Sequence, residues 1–152
     1  VRIDDRMLHG QVVSTWLKDY SIEQVLIIND KAANDPIQKS VAGLAAPKEV
    51  KVHLFGVDQF IDILKKIPIK RKTMLIFTTS TDVLKLVENG LDIKEVNVGG
   101  MRYNENRKRL SKAVSVTPEE EEAFKKLIEK DIKVFIQMIP KSDESLMKNL
   151  LK

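Results

Sequence analysis

The residues best suited to chemistry stand together near the amino end, as Asp4-Asp5-Arg6-Met7-Leu8-His9-Gly10-Gln11. A short apolar run precedes them and a helical pattern begins at Gly10, so His9 lies where a strand end meets a helix start. Arginine binds phosphate oxygens through a bidentate fork. The free N–H groups of a first helical turn attract anions. An unprotonated imidazole nitrogen beside two such devices is suited to accept a phosphoryl group. Its other nitrogen would be held in one tautomer by Asp4, Asp5 or a backbone carbonyl. Arg6 would steady the equatorial oxygens as the loose transition state forms, with Gly10 and Gln11 in the adjoining turn.

Other chemistries find less support. The sequence has two histidines and no cysteine, which removes disulfides, thiolate nucleophiles and Cys-ligated zinc. No GxxxxGK[ST] loop, no GxGxxG after a strand, no HExxH and no GxSxG elbow occurs. The second histidine, His53, falls within the strand pattern Val50–Phe55 and reads as a packed core residue. A net charge of +4 suits acidic partners such as phosphorylated compounds, an acidic protein face or a membrane surface. Aromatic residues make up only 5% and are not interleaved with basic ones, which argues against nucleic acid as a partner.

The elements that must position this loop alternate along the chain. Strand patterns cover Val1–Ile3, Gln24–Asn29, Val50–Phe55, Thr73–Thr78, Glu95–Val98, Ala113–Val116 and Lys133–Met138. Helical patterns cover Gly10–Asp19, Asp35–Ala45, Val57–Lys66, Asp82–Asn89, Pro118–Lys130 and Asp143–Leu151. Val25–Ile28 and Met74–Phe77 are continuously apolar, as strands buried on both faces are. Thr117-Pro118-Glu119-Glu120 reads as an N-cap, a first-turn proline and a capping-box glutamate, and Asn89-Gly90 as a left-handed helix end. The run Glu119–Glu122 reads as a solvated helix start. The expected fold is α/β: one domain over residues 1–152, an open doubly wound, mainly parallel sheet of about seven strands with helices on both faces. Gly99–Ser111 reads as a long loop without a crossover helix, so Ala113–Val116 is free to run antiparallel at an edge.

Ligands of such sheets bind beyond the carboxyl ends of the strands, where strand order reverses. With strand one central, strand three or four is the expected reversal partner. Besides Asp4–Gly10, the loops reaching that edge carry Asn29 and Asp30, Thr79 and Ser80, and Gly99 and Gly100, all candidates to bind or orient phosphate. Turn and capping chemistry alone would also explain each of these pairs. Arg102, Arg107 and Lys39 are candidates for contacts with an acidic partner, and equally for a solvated surface.

The segment from Val1 to Val13, with Trp16 following, resembles the opening of the mannose/fructose/sorbose-family IIB components of the bacterial phosphoenolpyruvate-dependent sugar phosphotransferase system. The likeness continues through Val25–Ala33, Asn97–Arg102 and Pro118–Glu122. Met7 and Leu8 stand where the family usually has aliphatic residues, and the opening looks trimmed by a few residues. The resemblance implies that His9 is phosphorylated by a phosphohistidine of a IIA protein and passes the group to a sugar carried by membrane IIC and IID components. Arg6 matches the arginine before the family's active histidine, and Asp4 and Asp5 match its acidic pair. No metal or organic cofactor is implied, the covalent phosphohistidine being the intermediate. A cytoplasmic protein held at the inner membrane face through IIC and IID is expected. The competing expectation is a non-catalytic regulatory or phosphometabolite-binding module on the same fold.

Overall fold

The computed structural model describes residues 1–151. Seven strands form one sheet in the order β3-β2-β4-β1-β5-β8-β9. Their ranges are β1 Arg2–Asp4, β2 Gln24–Ile28, β3 Lys51–Phe55, β4 Thr73–Phe77, β5 Glu95–Gly100, β8 Lys133–Ile136 and β9 Ser145–Leu146. All neighbours run parallel except β8 and β9. The helices are α1 Gly10–Val12, continued by a π turn Val13–Leu17, then α2 Asp30–Ala33, α3 Pro36–Ala45, α4 Val57–Lys66, α5 Ser80–Glu88 and α6 Pro118–Glu129.

Alternation along the strands sorts the core into two layers. Val25, Ile27, Met74 and Ile76 pack with Leu8, Val12, Trp16, Leu17 and Ala42, on the face covered by α1, the π turn and α3. Their chain neighbours Leu26, Ile28, Leu75 and Phe77 turn to the other face, with Ile3, Val96 and Val98, beneath α4, α5 and α6. Both faces of β2 and β4 are therefore dry, which is why their sequences are continuously apolar. The helices also begin and end as their sequences require. Thr117 and Glu120 form a reciprocal capping box on α6, and Gly90 adopts φ +108 just past α5, a conformation that β-carbons oppose.

Four expectations are corrected. Ala113–Val116 is not a strand of the main sheet. Only Ser115–Val116 (β7) is extended, paired antiparallel with Lys108–Arg109 (β6) in a separate ribbon, so the segment Gly99–Ser111 is not wholly loop. Buried Val114 and Val116 hold the ribbon against the α4–α6 layer. The antiparallel edge is instead β9, inside the segment expected as a helix over Asp143–Leu151. There Phe135 and Ile136 pair with Leu146 and Ser145, and a 3-10 turn Met147–Asn149 buries Met147 completely. Completing the β8 edge and burying Met147 override a helical pattern too short to be stable alone. His53 is exposed, because β3 is the outer strand and one of its faces lacks a full covering layer. Finally, strand three is an edge and strand four is a direct neighbour of β1, but the windings part between β1 and β5, and again between β2 and β4. The connections from β1 and β2 move toward β3, whereas those from β4 and β5 move toward β8.

Candidate active site

The parting of β1 and β5 places the Asp4–Gly10 loop beyond the carboxyl end of a central strand, where open α/β sheets bind ligands. The loop is held from below by Asp4, whose side chain is only 1% exposed. Its Oδ2 accepts from Arg2 Nη2 at 3.0 Å and faces His9 Nε2 at 3.1 Å. Its Oδ1 accepts the Arg6 backbone N–H at 3.0 Å, and its carbonyl accepts the Met7 N–H at 2.9 Å. Met7 takes φ 58, a left-handed conformation that costs a non-glycine residue about 1–2 kcal/mol. These bonds to Asp4 impose that turn.

His9 is the N-cap of α1, with extended backbone and no side-chain capping bond. Its carbonyl accepts from Val13 at 3.0 Å, while its side chain, 17% exposed, turns back to Asp4. In a neutral ring the nitrogen that faces the carboxylate is the donor, an arrangement in which Nδ1 keeps the lone pair. The Arg6 guanidinium, 49% exposed, stays near the loop through Nε, 3.8 Å from Asp4 Oδ1.

Arg2 is the buried base of the site, and nothing in the sequence reading singled it out. Its Nη1 donates to Asn97 Oδ1 at 2.5 Å and to the Gln137 carbonyl at 3.4 Å. The guanidinium lies 5.3 Å from the Trp16 ring centroid, and Trp16 Nε1 donates to the Met138 carbonyl at 3.0 Å. Burial pulls the Arg2 pKa below the ordinary arginine value, against the opposing pull of Asp4. Nε lacks a partner among the described residues. The signal was present as polar residues inside strands: Arg2 and Asp4 are two apart, hence on one face, and Asn97 interrupts Val96 and Val98. Gly99 belongs to this arrangement, since a β-carbon there would overlap the Arg2 guanidinium.

A second network ties the loop to the next strand connection. Asp5 Oδ2 accepts from Arg107 Nη1 at 3.2 Å and from the Arg102 backbone N–H, and the Asp5 N–H donates to the Gly100 carbonyl at 3.0 Å. Arg107 also donates two bonds, at 2.9 and 2.8 Å, to the carboxylate of Glu120 in the first turn of α6. Burial disfavours the Arg107 charge, but the bonds and charges of Glu120 and Asp5 outweigh it and hold its pKa above the ordinary value. Glu120 is thus buried and paired, unlike the solvated helix start read from its run, and Arg107 is spent inside the protein rather than offered to a partner. Arg102 and Lys39 are exposed. Asp5, Arg102, Tyr103, Asn104 and Arg107 line an open cavity of about 440 Å³.

The remaining candidates have local roles in this structure. Asn29 caps α2 by accepting the Ala32 N–H at 2.8 Å and donates to Thr78 Oγ1 at 2.9 Å. Asp30 accepts the Val57 N–H at 2.8 Å, at the start of α4. Thr79 caps α5 and bonds Thr81 at 2.9 Å, while the buried Ser80 hydroxyl donates to the Glu120 carbonyl at 2.7 Å. Gly10 has open space around it, and the Gln11 carbonyl accepts the Thr15 hydroxyl at 2.6 Å. Asp4, Asp5, Arg6, His9 and Gly100 are therefore directly linked or adjacent through the loop. Asn29, Asp30, Thr79 and Ser80 make their bonds to other elements. Among the described residues no group of three or more His, Cys, Asp or Glu is placed to hold a metal ion, and no helix is long and apolar enough to cross a membrane.

Known proteins resemble this chain over nearly its whole length. The fructose-specific EIIB component of Bacillus subtilis is 35% identical over 145 residues, which covers 95% of this chain and 88% of that protein. The mannose-specific EIIAB component of Escherichia coli K12 is 34% identical over 99% of this chain, but the chain spans only 47% of that longer protein. The crystal structure of the IIBSor domain of the Klebsiella pneumoniae sorbose permease superposes with a TM-score of 0.92 at 30% identity, covering 99% of this chain and 93% of that one. The profile described as PTS system sorbose subfamily IIB component matches residues 1–152, and the chain belongs to that family.

Proposed function

We propose that this chain is a phosphocarrier in which His9 Nδ1 accepts a phosphoryl group from a phosphohistidine of a IIA protein and passes it to a sugar during uptake. The observation that carries the reading is the His9 Nε2 to Asp4 Oδ2 bond of 3.1 Å, anchored in turn by Arg2. With the proton fixed on Nε2, the Nδ1 lone pair attacks phosphorus. The Nδ1–P bond forms as the donor N–P bond breaks, and the donor ring departs as a neutral imidazole, so no proton must move. The developing positive charge on the His9 ring is met by the Asp4 carboxylate, and Arg6 is near enough to the loop to offer its guanidinium to the phosphoryl oxygens. In the second transfer a sugar hydroxyl attacks the same phosphorus as the Nδ1–P bond breaks, its proton passing to a base of the membrane component that holds the sugar, and His9 leaves as the neutral ring with its proton on Nε2. No metal or organic cofactor enters either step.

The partners in this reading are a IIA phosphodonor and membrane IIC and IID components that carry the sugar, with the chain at the cytoplasmic side of the membrane. The fusion named in the mannose EIIAB relative supports a IIA partner. The exposed Arg102 beside the Asp5 cavity suits an acidic docking face.

The test is incubation with phosphoenolpyruvate and the upstream phosphotransfer proteins. Acid-labile phosphate is expected on His9, and His9→Ala is expected to lose all labelling while melting close to the parent. An unlabelled parent chain, under conditions that label a control IIB protein, would favour a binding module without turnover.

A further inference from the structure

Residues 65–72 read Lys-Lys-Ile-Pro-Ile-Lys-Arg-Lys and carry the chain from the last turn of α4 into β4. All eight are exposed, and they hold five cations with no acidic residue between them. Ile67 is 62% and Ile69 39% exposed, although both are large and apolar. Among the described residues, none of the five cations forms a salt bridge. Other surface lysines do, such as Lys85 with Asp58 and Lys133 with Glu144. The acidic group drawn to this loop is Glu23, which accepts the Lys72 backbone N–H at 3.3 Å. The loop also walls an apolar groove of about 380 Å³ floored by Phe55, Phe60 and Leu64. On its other side, half-exposed Tyr20 and Lys72 line one cavity.

We propose that the Lys65–Lys72 loop is a contact surface for anionic lipid, with its cations among the headgroup phosphates and Ile67 and Ile69 at the acyl boundary. Charge complementarity chooses the occupant. Four of the five cations are lysines on flexible stems, which suit a diffuse negative sheet better than one shaped anion. Isoleucines between them gain only where an apolar layer lies directly behind the charge. Clusters of 4–8 Lys or Arg on a surface are of the size that anionic leaflets recruit. The loop enters β4 at its amino end, whereas His9 follows the carboxyl end of parallel β1, so the two lie at opposite ends of the sheet. A loop resting on lipid leaves His9 open to a soluble phosphodonor, and the chain must leave the lipid before His9 meets sugar held by the membrane components. The proposal does not depend on phosphoryl transfer, because vesicle binding is read without it.

The test is co-sedimentation with vesicles containing roughly one-third phosphatidylglycerol, against pure phosphatidylcholine, at low and near-physiological salt. The chain is expected to sediment only with the anionic vesicles, and more weakly as salt rises. Lys70→Glu with Arg71→Glu should weaken binding by at least about tenfold. Ile67→Ser with Ile69→Ser should lose the part that survives higher salt. The same charge reversal at exposed Lys126 of α6 and Lys130 just past its end should leave most of the binding. All three pairs are expected to melt near the parent, since the altered side chains are exposed. Failure of the parent chain to bind anionic vesicles would overturn the proposal. So would an equal loss from the α6 pair, which would mean net charge alone, or preferential binding to polyglutamate, which would mean an acidic polypeptide.

Discussion

The two histidines occupy opposite kinds of place. His9 closes on a carboxylate that also accepts from Arg2 and from the Arg6 N–H, and Arg2 spreads its remaining bonds over β5 and the segment after β8. His53 stands on the exposed edge strand, its ring stacked near that of Phe55 with 6.1 Å between centroids. Their intrinsic chemistry is the same, so the difference lies in whether the surroundings fix the tautomer and the ring. Taking Arg2 and Asp4 out of water costs several kcal/mol per ion, and apolar residues of similar volume would often hold a core as well. A network with that cost makes sense as a positioning device at the site. At the β3 edge the protein instead leaves apolar and basic groups unpaired, which is the character of a surface that associates.

The sharpest way to break the contrast is Asp4→Asn. A neutral amide leaves Arg2 buried without its counter-charge and weakens the hold on His9 Nε2. Loss of one partner of a buried pair is expected to lower unfolding free energy by about 3–5 kcal/mol. Labelling of His9 should slow by about a hundredfold or more, by analogy with the loss of one preorganised partner of a developing charge. Urea unfolding and the rate of phosphohistidine formation measure both. A variant that folds and labels like the parent would erase the distinction between the two histidines.

Gly99→Ala attacks the same network from β5. The added methyl must displace the Arg2 guanidinium, an overpacking expected to cost about 1–3 kcal/mol in urea unfolding. Arg2→Met combined with Gly99→Ala should be milder than the sum of the two single changes, because the clash is then with a flexible thioether. Additive losses would show that Gly99 is not there to make room for Arg2.

Arg107→Lys tests the second tie. Lysine keeps the charge but lacks the fork that grips Glu120 with two bonds while reaching Asp5. The expected loss is about 1–2 kcal/mol, of the order of one charge-assisted bond, with His9 labelling slowed less than in Asp4→Asn. A labelling defect as deep as that of Asp4→Asn would mean that the Asp5 side of the loop governs His9 as firmly as the Asp4 side.

The legible parts of the sequence are those in which neighbours along the chain decide the outcome. The unbroken apolar runs of β2 and β4 marked strands covered on both faces, Thr117 and Glu120 announced their capping box, and Arg6 and His9 stood in one loop. The illegible parts depend on meetings across the fold. Ser145–Leu146 became a strand because β8 offered an open edge, which no local pattern records. Glu120 looked like one of four solvated acids until β6, β7 and the loop before them brought Arg107 against it. His53 sat in a good strand pattern, but its burial depended on whether that strand was inner or outer. Arg2 and Asn97 fall between these cases. Each was visible as a polar residue inside an apolar strand, yet their pairing needed the β1–β5 register.

His53→Ala is the smallest change and closes the comparison from the other side. The ring is exposed, no hydrogen bond to its side chain is found among the described residues, and its removal opens no cavity in either core layer. What is lost is partial cover of Phe55 and some strand preference on an edge, where alanine is only slightly worse. The expected change in unfolding free energy is within about 0.5 kcal/mol, and His9 labelling should proceed at the parental rate. A larger loss of stability would mean that the Phe55 and Phe60 stack depends on the imidazole as a lid. A loss of labelling without a loss of stability would mean that the β3 edge communicates with the loop at the centre of the sheet. Two parallel strands, β2 and β4, separate β3 from β1, and their registers are continuous, so a side chain on the solvent side of that edge has no mobile element through which to act.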